Sequence, residues 1–187
     1  MAINIITNAR KKIRVRLQIN SFGDPYIFTS DVFKIEACIP RGDGTTIEKL
    51  YLKKFGDLTQ GSALVQNIDT SDIAEGMPAS GFGVLLGSHV IKIPTSTVSP
   101  TAPGTVLLDN VALASATGTE VDIGDIDLLD SQGLIRVNLY AADTFTIQPT
   151  GDNPLTSWQV DVYKTGSPLD PDAVQFIENL NIIQGLC

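Results

Sequence analysis

The sequence predicts a mainly β protein, a β-sandwich or barrel-like domain with a C-terminal α-helix. Three observations predict it. Short apolar–polar alternations of period two recur along the chain, the spacing of half-buried strands. Gly, Pro, Asn, Asp and Ser punctuate them every 8–12 residues or about that, so about ten short strands fit the length. Only one stretch, close to the C-terminus, combines helical spacing of apolar residues with helix caps.

The elements follow in order. Ile13, Val15, Leu17 and Ile19 alternate with Lys12, Arg14, Arg16 and Gln18, so residues 12–19 form a strand with one apolar and one basic face. NSFGDP is a turn leading to YIFTS. In VFKIEACI, Phe33, Ile35, Ala37 and Ile39 alternate with Lys34, Glu36 and Cys38. The turn PRGDG follows, and a hairpin signal there favours a strand over a short helix for TTIEKLYLKKF. Residues 57–81 are acidic and rich in turns, and FGVLL and HVIKI flank a Gly-Ser turn as a hairpin would. PTSTVSPTAPGT, residues 94–105, carries no charge and reads as an extended arm or long loop of a single domain spanning 1–187. TVLLDNVAL, EVDIGDIDLLD, GLIRVNLYA, DTFTIQ and WQVDVYK complete the β pattern. Asp170 is a suitable N-cap and Pro171 a suitable first helical residue. Phe176, Ile177, Leu180 and Ile183 would share one helix face, with Gly185 as a stop.

Charge divides the chain. Residues 1–54 hold 10 Lys+Arg and 5 Asp+Glu, a net of +5, whereas residues 55–187 hold 3 and 16, a net of −13. A chain with opposite charge at its two ends is able to bind its own copies. Its overall charge of −8 argues against nucleic-acid binding by the whole surface, so no nucleic acid is expected as a partner. No apolar run approaches the ~20 residues that span a bilayer. In MAINIITNARKK the basic residues follow the short apolar stretch, the reverse of a secretory signal, so neither secretion nor a membrane anchor is expected. Cys38 and Cys187 are far apart in sequence, and in such a chain two thiols are expected to stay reduced.

The candidates for chemistry are thin. His89 is the only histidine and sits in a strand pattern without G-x-S-x-G or a neighbouring Cys, so neither a catalytic triad nor a zinc site is expected. Glu120, Asp122, Asp125, Asp127 and Asp130 offer oxygen ligands for calcium, but their spacing is not that of an EF-hand loop. A solvated or partner-facing acidic strand edge is the stronger reading, and no cofactor or metal is expected. Nothing selects a pair of glycosidase carboxylates among these acids. Arg41, Gly42 and Asp43 match the integrin-recognition tripeptide at a hairpin tip, where Gly and Asp serve any tight turn. Gly81, Gly83 and Gly87 lack the following helix of a phosphate-binding loop.

The turn-rich β pattern, the N-terminus without a signal, the uncharged PTSTVSPTAPGT and the lack of catalytic groups together resemble small structural proteins of tailed-phage particles. Capsid decoration (cement) proteins come first, and tail-tube or tail-accessory proteins second. The resemblance implies a non-enzymatic virion protein, assembled in the host cytoplasm, that forms homo-oligomers and joins other virion proteins. No residue role is carried over from the resemblance; the charge split and the uncharged arm place the expected partner contacts at Lys11, Lys12, Arg14 and Arg16, at Thr95 and Thr97 in the arm, and at Asp122, Asp125 and Asp127. A receptor- or carbohydrate-binding β module, using aromatic rings such as Tyr26, Phe82, Tyr140, Trp158 or Tyr163, is the alternative.

Overall fold

The computed structural model describes residues 3–6, 11–17, 25–28, 32–40, 45–99, 102–140, 142–143, 155–164 and 173–183. Among them are thirteen strands: β1 (Ile3–Ile6), β2 (Lys11–Arg16), β3 (Val32–Pro40), β4 (Thr46–Leu58), β5 (Leu64–Ile68), β6 (Pro78–Gly81), β7 (Ser88–Thr95), β8 (Gly104–Leu108), β9 (Ala116–Gly124), β10 (Ile126–Leu128), β11 (Leu134–Leu139), β12 (Leu155–Lys164) and β13 (Ala173–Ile183). The chain gathers into two compact units, one of Met1–Leu50 with Asp125–Cys187 and one of Tyr51–Gly124. The mainly β class expected from the alternating pattern is what the chain adopts.

The Tyr51–Gly124 unit is a closed barrel. From β4 the hydrogen-bonded order runs through β5, β8, β7, β6 and β9, and β9 pairs back onto β4, with Leu52 opposite Ile123. Closure leaves this six-strand sheet without a free edge. Leu52, Val65, Ile68, Val106 and Val121 are at most 1% exposed and form its interior. Each such burial contributes about 1.5–3 kcal/mol relative to exposure, more than any surface ion pair. Gly56 stands where the barrel wall leaves no room for a side chain: a Cβ there would lie 2.7 Å from Val65 Cγ1 and 3.2 Å from the Gln66 carbonyl oxygen.

In the other unit, β1, β13, β12 and β3 are consecutive neighbours in a sheet, with β4 next to β3. β1 runs parallel to β13, and the β13–β12 and β12–β3 pairs are antiparallel. Ile35, Ala37 and Ile39 of β3 are fully buried, and Lys34, Glu36 and Cys38 between them are half-buried, as the alternation requires. A separate antiparallel sheet has the order β10–β11–β2. Its apolar face consists of Ile13, Val15, Ile126, Ile135, Val137 and Leu139, all buried.

Several expectations change. The C-terminal helix is replaced by a strand: Ala173–Ile183 is β13, hydrogen-bonded between β12 and β1. β-Branched Val174, Ile177, Ile182 and Ile183 favour extended structure, and long-range pairing on both sides outweighs a local helical period. The proposed caps Asp170 and Pro171 lie outside the described residues, as do Gly185, Cys187, Gln18, Ile19 and the 41–43 tripeptide. The partner of β7 is β6, with Pro78 opposite His89, while 82–86 forms the turn between them. EVDIGDIDLLD is two strands, β9 in the barrel and β10 in the three-stranded sheet, parted at Gly124 with φ 128°. The described part of 94–105 comprises the end of β7, a Ser99–Ala102 bridge and the start of β8.

Candidate interaction surface

β2 ends the three-stranded sheet among the described residues, so one row of its backbone groups faces no strand there. The sequence period places its cations on the face opposite the core. Lys12, Arg14 and Arg16 are exposed while Ile13, Val15 and Leu17 are buried. Lys11 opens the strand opposite Leu139.

Register orders the charges across this face. Arg14 on β2 lies opposite Arg136 on the central β11, and Arg136 lies opposite Asp127 on β10. Two guanidinium groups side by side would repel, and Arg136 turns away to its other neighbour. Its Nε donates to Asp127 Oδ2 at 2.7 Å. Asn138, opposite Lys12, donates to the same oxygen at 2.9 Å. Arg16 bridges to the turn after β10, donating to Asp130 Oδ2 at 3.2 Å and to the Gln132 carbonyl at 2.8 Å. The Asp130 carboxyl is held below its ordinary range, chiefly by the Leu134 backbone N–H, with Gln132 N–H and Arg16 adding to it against an opposing desolvation cost. The face is thus neutralised between β10 and β11, where Asp127 and Arg136 pair, and basic at β2. Among the described residues, Lys12 and Arg14 have no ion-pair partner.

The other expected contact residues have different surroundings. Asp125 faces inward: Lys49 Nζ lies 3.3 Å from its Oδ2, and the Tyr140 hydroxyl donates to its Oδ1 at 2.8 Å. Lys49 also lies 2.7 Å from Asp143 Oδ2 and 4.9 Å from the centre of the Tyr140 ring. This buried cation with two carboxylates was not singled out from sequence. The available sign was phase: Lys49 falls on the buried positions of TIEKLYL, between Ile47 and Tyr51. Asp122 is half-buried in the barrel unit and accepts a 2.7 Å hydrogen bond from the Tyr51 hydroxyl. Burial raises the Asp122 carboxyl above its ordinary range, and burial and the Asp122 charge raise the Tyr51 hydroxyl.

Thr95 is exposed and pairs with Thr105 across the β7–β8 ladder. Thr97 is fastened to its own unit, its Oγ1 accepting from Thr70 N at 2.8 Å and donating to the Ile68 carbonyl at 3.2 Å. The Thr97 N–H returns a 2.7 Å hydrogen bond to Thr70 Oγ1. These bonds hold the 94–105 segment down at its middle.

The residues weighed for catalysis fall apart in space or are otherwise engaged. His89 Nδ1 lies 3.3 Å from Asp109 Oδ2, both exposed, but the neighbouring Ser88 Oγ donates to the Leu85 carbonyl at 2.7 Å on the buried side of β7. The Cys38 thiol is raised to about 11, first by burial and then by Glu36, so it is a poor nucleophile at neutral pH. Of the aromatic rings, Tyr26 is buried, Tyr140 belongs to the Lys49 cluster, and Phe82 is exposed. Among the described residues, no group of three or more His, Cys, Asp or Glu is placed to hold a metal ion. No helix among them is long and apolar enough to cross a membrane. No known protein family matches the chain, and no solved structure matches it.

Proposed function

We propose that this chain is a non-enzymatic structural protein of a virus particle, of the capsid-decoration type, that joins copies of itself to other particle proteins. The observation that carries the reading is the charge-graded face of the three-stranded sheet, ending in Lys12 and Arg14 on an edge strand. Such an edge suits an acidic neighbour, a second copy or another particle protein, because Lys12 and Arg14 have no ion pair of their own among the described residues. Edge strands are also where extended segments of a partner add by main-chain hydrogen bonding. Cations at the edge discourage indiscriminate pairing and select an acidic neighbour. A tail-tube or tail-accessory position uses the same surface with a different neighbour.

The test is a Lys12→Glu, Arg14→Glu double variant, since both side chains are exposed and Arg16 already serves Asp130. Co-sedimentation with assembled particles in the host lysate is the readout. The wild-type chain is expected in the particle fraction, with binding that weakens as salt is added, and the variant is expected in the supernatant with an unchanged far-UV circular dichroism spectrum. Binding that is indifferent to both salt and the substitutions overturns the assignment to β2. A wild-type chain that never travels with particles overturns the virion role.

A further inference from the structure

The barrel unit carries a second surface of another chemistry. Phe55, Phe82, Leu85, Leu86, Val111 and Leu113 are 54%, 68%, 39%, 90%, 50% and 55% exposed. Backbone register places them together. Phe55 lies opposite Glu120 on β9, and Gly81, just before Phe82, lies opposite Val121, the next residue. Leu113 N–H donates to the Gly83 carbonyl at 2.8 Å, which sets the 110–115 loop against the turn holding Phe82. Leu85 and Val111 border one shallow cleft with Leu58 and Ala112. Phe82, Leu85, Val111 and Leu113 thus gather on the loops at one end of the barrel, with Phe55 on β4 and Leu86 in the same turn adding to the patch.

Its size and charge decide what covers it. At these exposures the patch amounts to on the order of 600 Å², at the upper limit of what monomeric proteins leave bare. That area is also close to the apolar share of one side of an ordinary dimer interface, which buries about 800 Å² per partner. Residues 76–91 and 110–119 contain no Asp, Glu, Lys or Arg. The charges at the margin are already engaged, Glu120 with Lys53 at 3.2 Å and Asp109 with His89 at 3.3 Å. Elsewhere the unit is acidic, with 3 Lys against 7 Asp+Glu between residues 51 and 124. Two such bodies repel wherever their charged surfaces meet, and the same net charge opposes an anionic membrane. The uncharged patch is the face through which two identical acidic bodies approach without that cost.

We infer that this barrel end is a self-association surface, occupied by the same patch of a second copy of the chain in a two-fold contact. It is independent of the β2 edge, and the two are separated by salt: apolar contacts persist or strengthen as salt is added, while charge-driven ones weaken.

Sedimentation equilibrium of the full chain, at low and high salt, tests this with Phe82→Asp/Leu86→Asp and Lys12→Glu/Arg14→Glu variants. The wild-type chain is expected to dimerise at both salt concentrations. The Asp pair is expected to weaken dimerisation by about a hundredfold or more, because closure would bury uncompensated carboxylates. Its circular dichroism and unfolding midpoint should match the wild type, since both positions are exposed, and Phe82→Leu/Leu86→Met should keep the dimer. A wild-type chain that stays monomeric at every concentration overturns the inference. So does a dimer that survives the Asp pair, or one lost only in the Lys12→Glu/Arg14→Glu variant. Monomers that float with phosphatidylcholine vesicles overturn it in favour of a lipid surface.

Discussion

Replacing Lys49 with Met removes one charge and leaves two carboxylates facing each other's field. The Lys49 ammonium, with a side chain 7% exposed, lies 2.7 Å from Asp143 and 3.3 Å from Asp125, whose side chains are 15% and 18% exposed. Met fills nearly the same volume, so the cavity contribution is small. The loss is electrostatic: breaking a buried pair by removing one partner costs about 3–5 kcal/mol. Water reaches both carboxylates in part, which brings the expected loss to about 3 kcal/mol. For a chain of this length that corresponds to a fall in Tm of about 6–12 °C. The assay is equilibrium urea unfolding followed by tyrosine fluorescence and far-UV circular dichroism, with Asp125→Asn and Asp143→Asn combined in a double-mutant cycle. Neutralising the acids should return a large part of the lost stability in the Met background and should itself be destabilising in the wild type. A loss below about 1 kcal/mol, the size of a surface pair, or no coupling in the cycle, would refute the view that Lys49 locks the segment after β11 to β4.

Two further predictions concern the barrel. Asp122 is raised above its ordinary range, so the folded chain binds this proton more tightly than the unfolded one. Its contribution to stability is therefore full below the unfolded value of about 3.8 and is lost as pH rises through the folded value. Asp122→Asn still accepts from Tyr51 and never ionises, so stability at neutral pH should hold or rise, and the slope of unfolding free energy in mild acid should flatten. Urea midpoints across the acid range check this, and a midpoint that drops at neutral pH would count against burial as the dominant cause. Gly104 begins β8, and a Cβ there would collide with the Thr95 carbonyl and lie 3.0 Å from Thr97 N. Gly104→Ala should cost about 1–3 kcal/mol by overpacking and should speed proteolysis within 94–105. Unaltered stability and cleavage would show that this segment is looser than its hydrogen bonds imply.

How much was legible in the chain depends on how local the determining physics was. Strand alternation is local, so VFKIEACI and KKIRVR lie on the predicted faces, with Ile35, Ala37, Ile13 and Val15 buried and Lys12 and Arg14 exposed. The basic face of β2 was therefore readable from residue order alone. Its neighbours were not, because register is a long-range property: nothing near Arg14 says that Arg136 lies opposite it, or that Asp127 draws Arg136 away. The acidic run from Glu120 to Asp130 reads from sequence as one solvated or partner-facing strand edge. In the structure Glu120, Asp125, Asp127 and Asp130 pair with Lys53, Lys49, Arg136 and Arg16, and Asp122 is bonded by Tyr51.

The same contrast holds at the C-terminus and in the barrel. AVQFIENLNII fits a helical period as well as an extended one, and only pairing to β12 and β1 makes it β13. FGVLL reads as one arm of a hairpin with HVIKI, yet Phe82 and Leu86 stand bare in a turn because β6 ends at Gly81. Residue order determined which strands have an apolar and a polar side, since that follows from a period of two within one segment. Tertiary structure decided which charges neutralise one another and which apolar residues stay bare, since both depend on contacts between segments far apart in the chain.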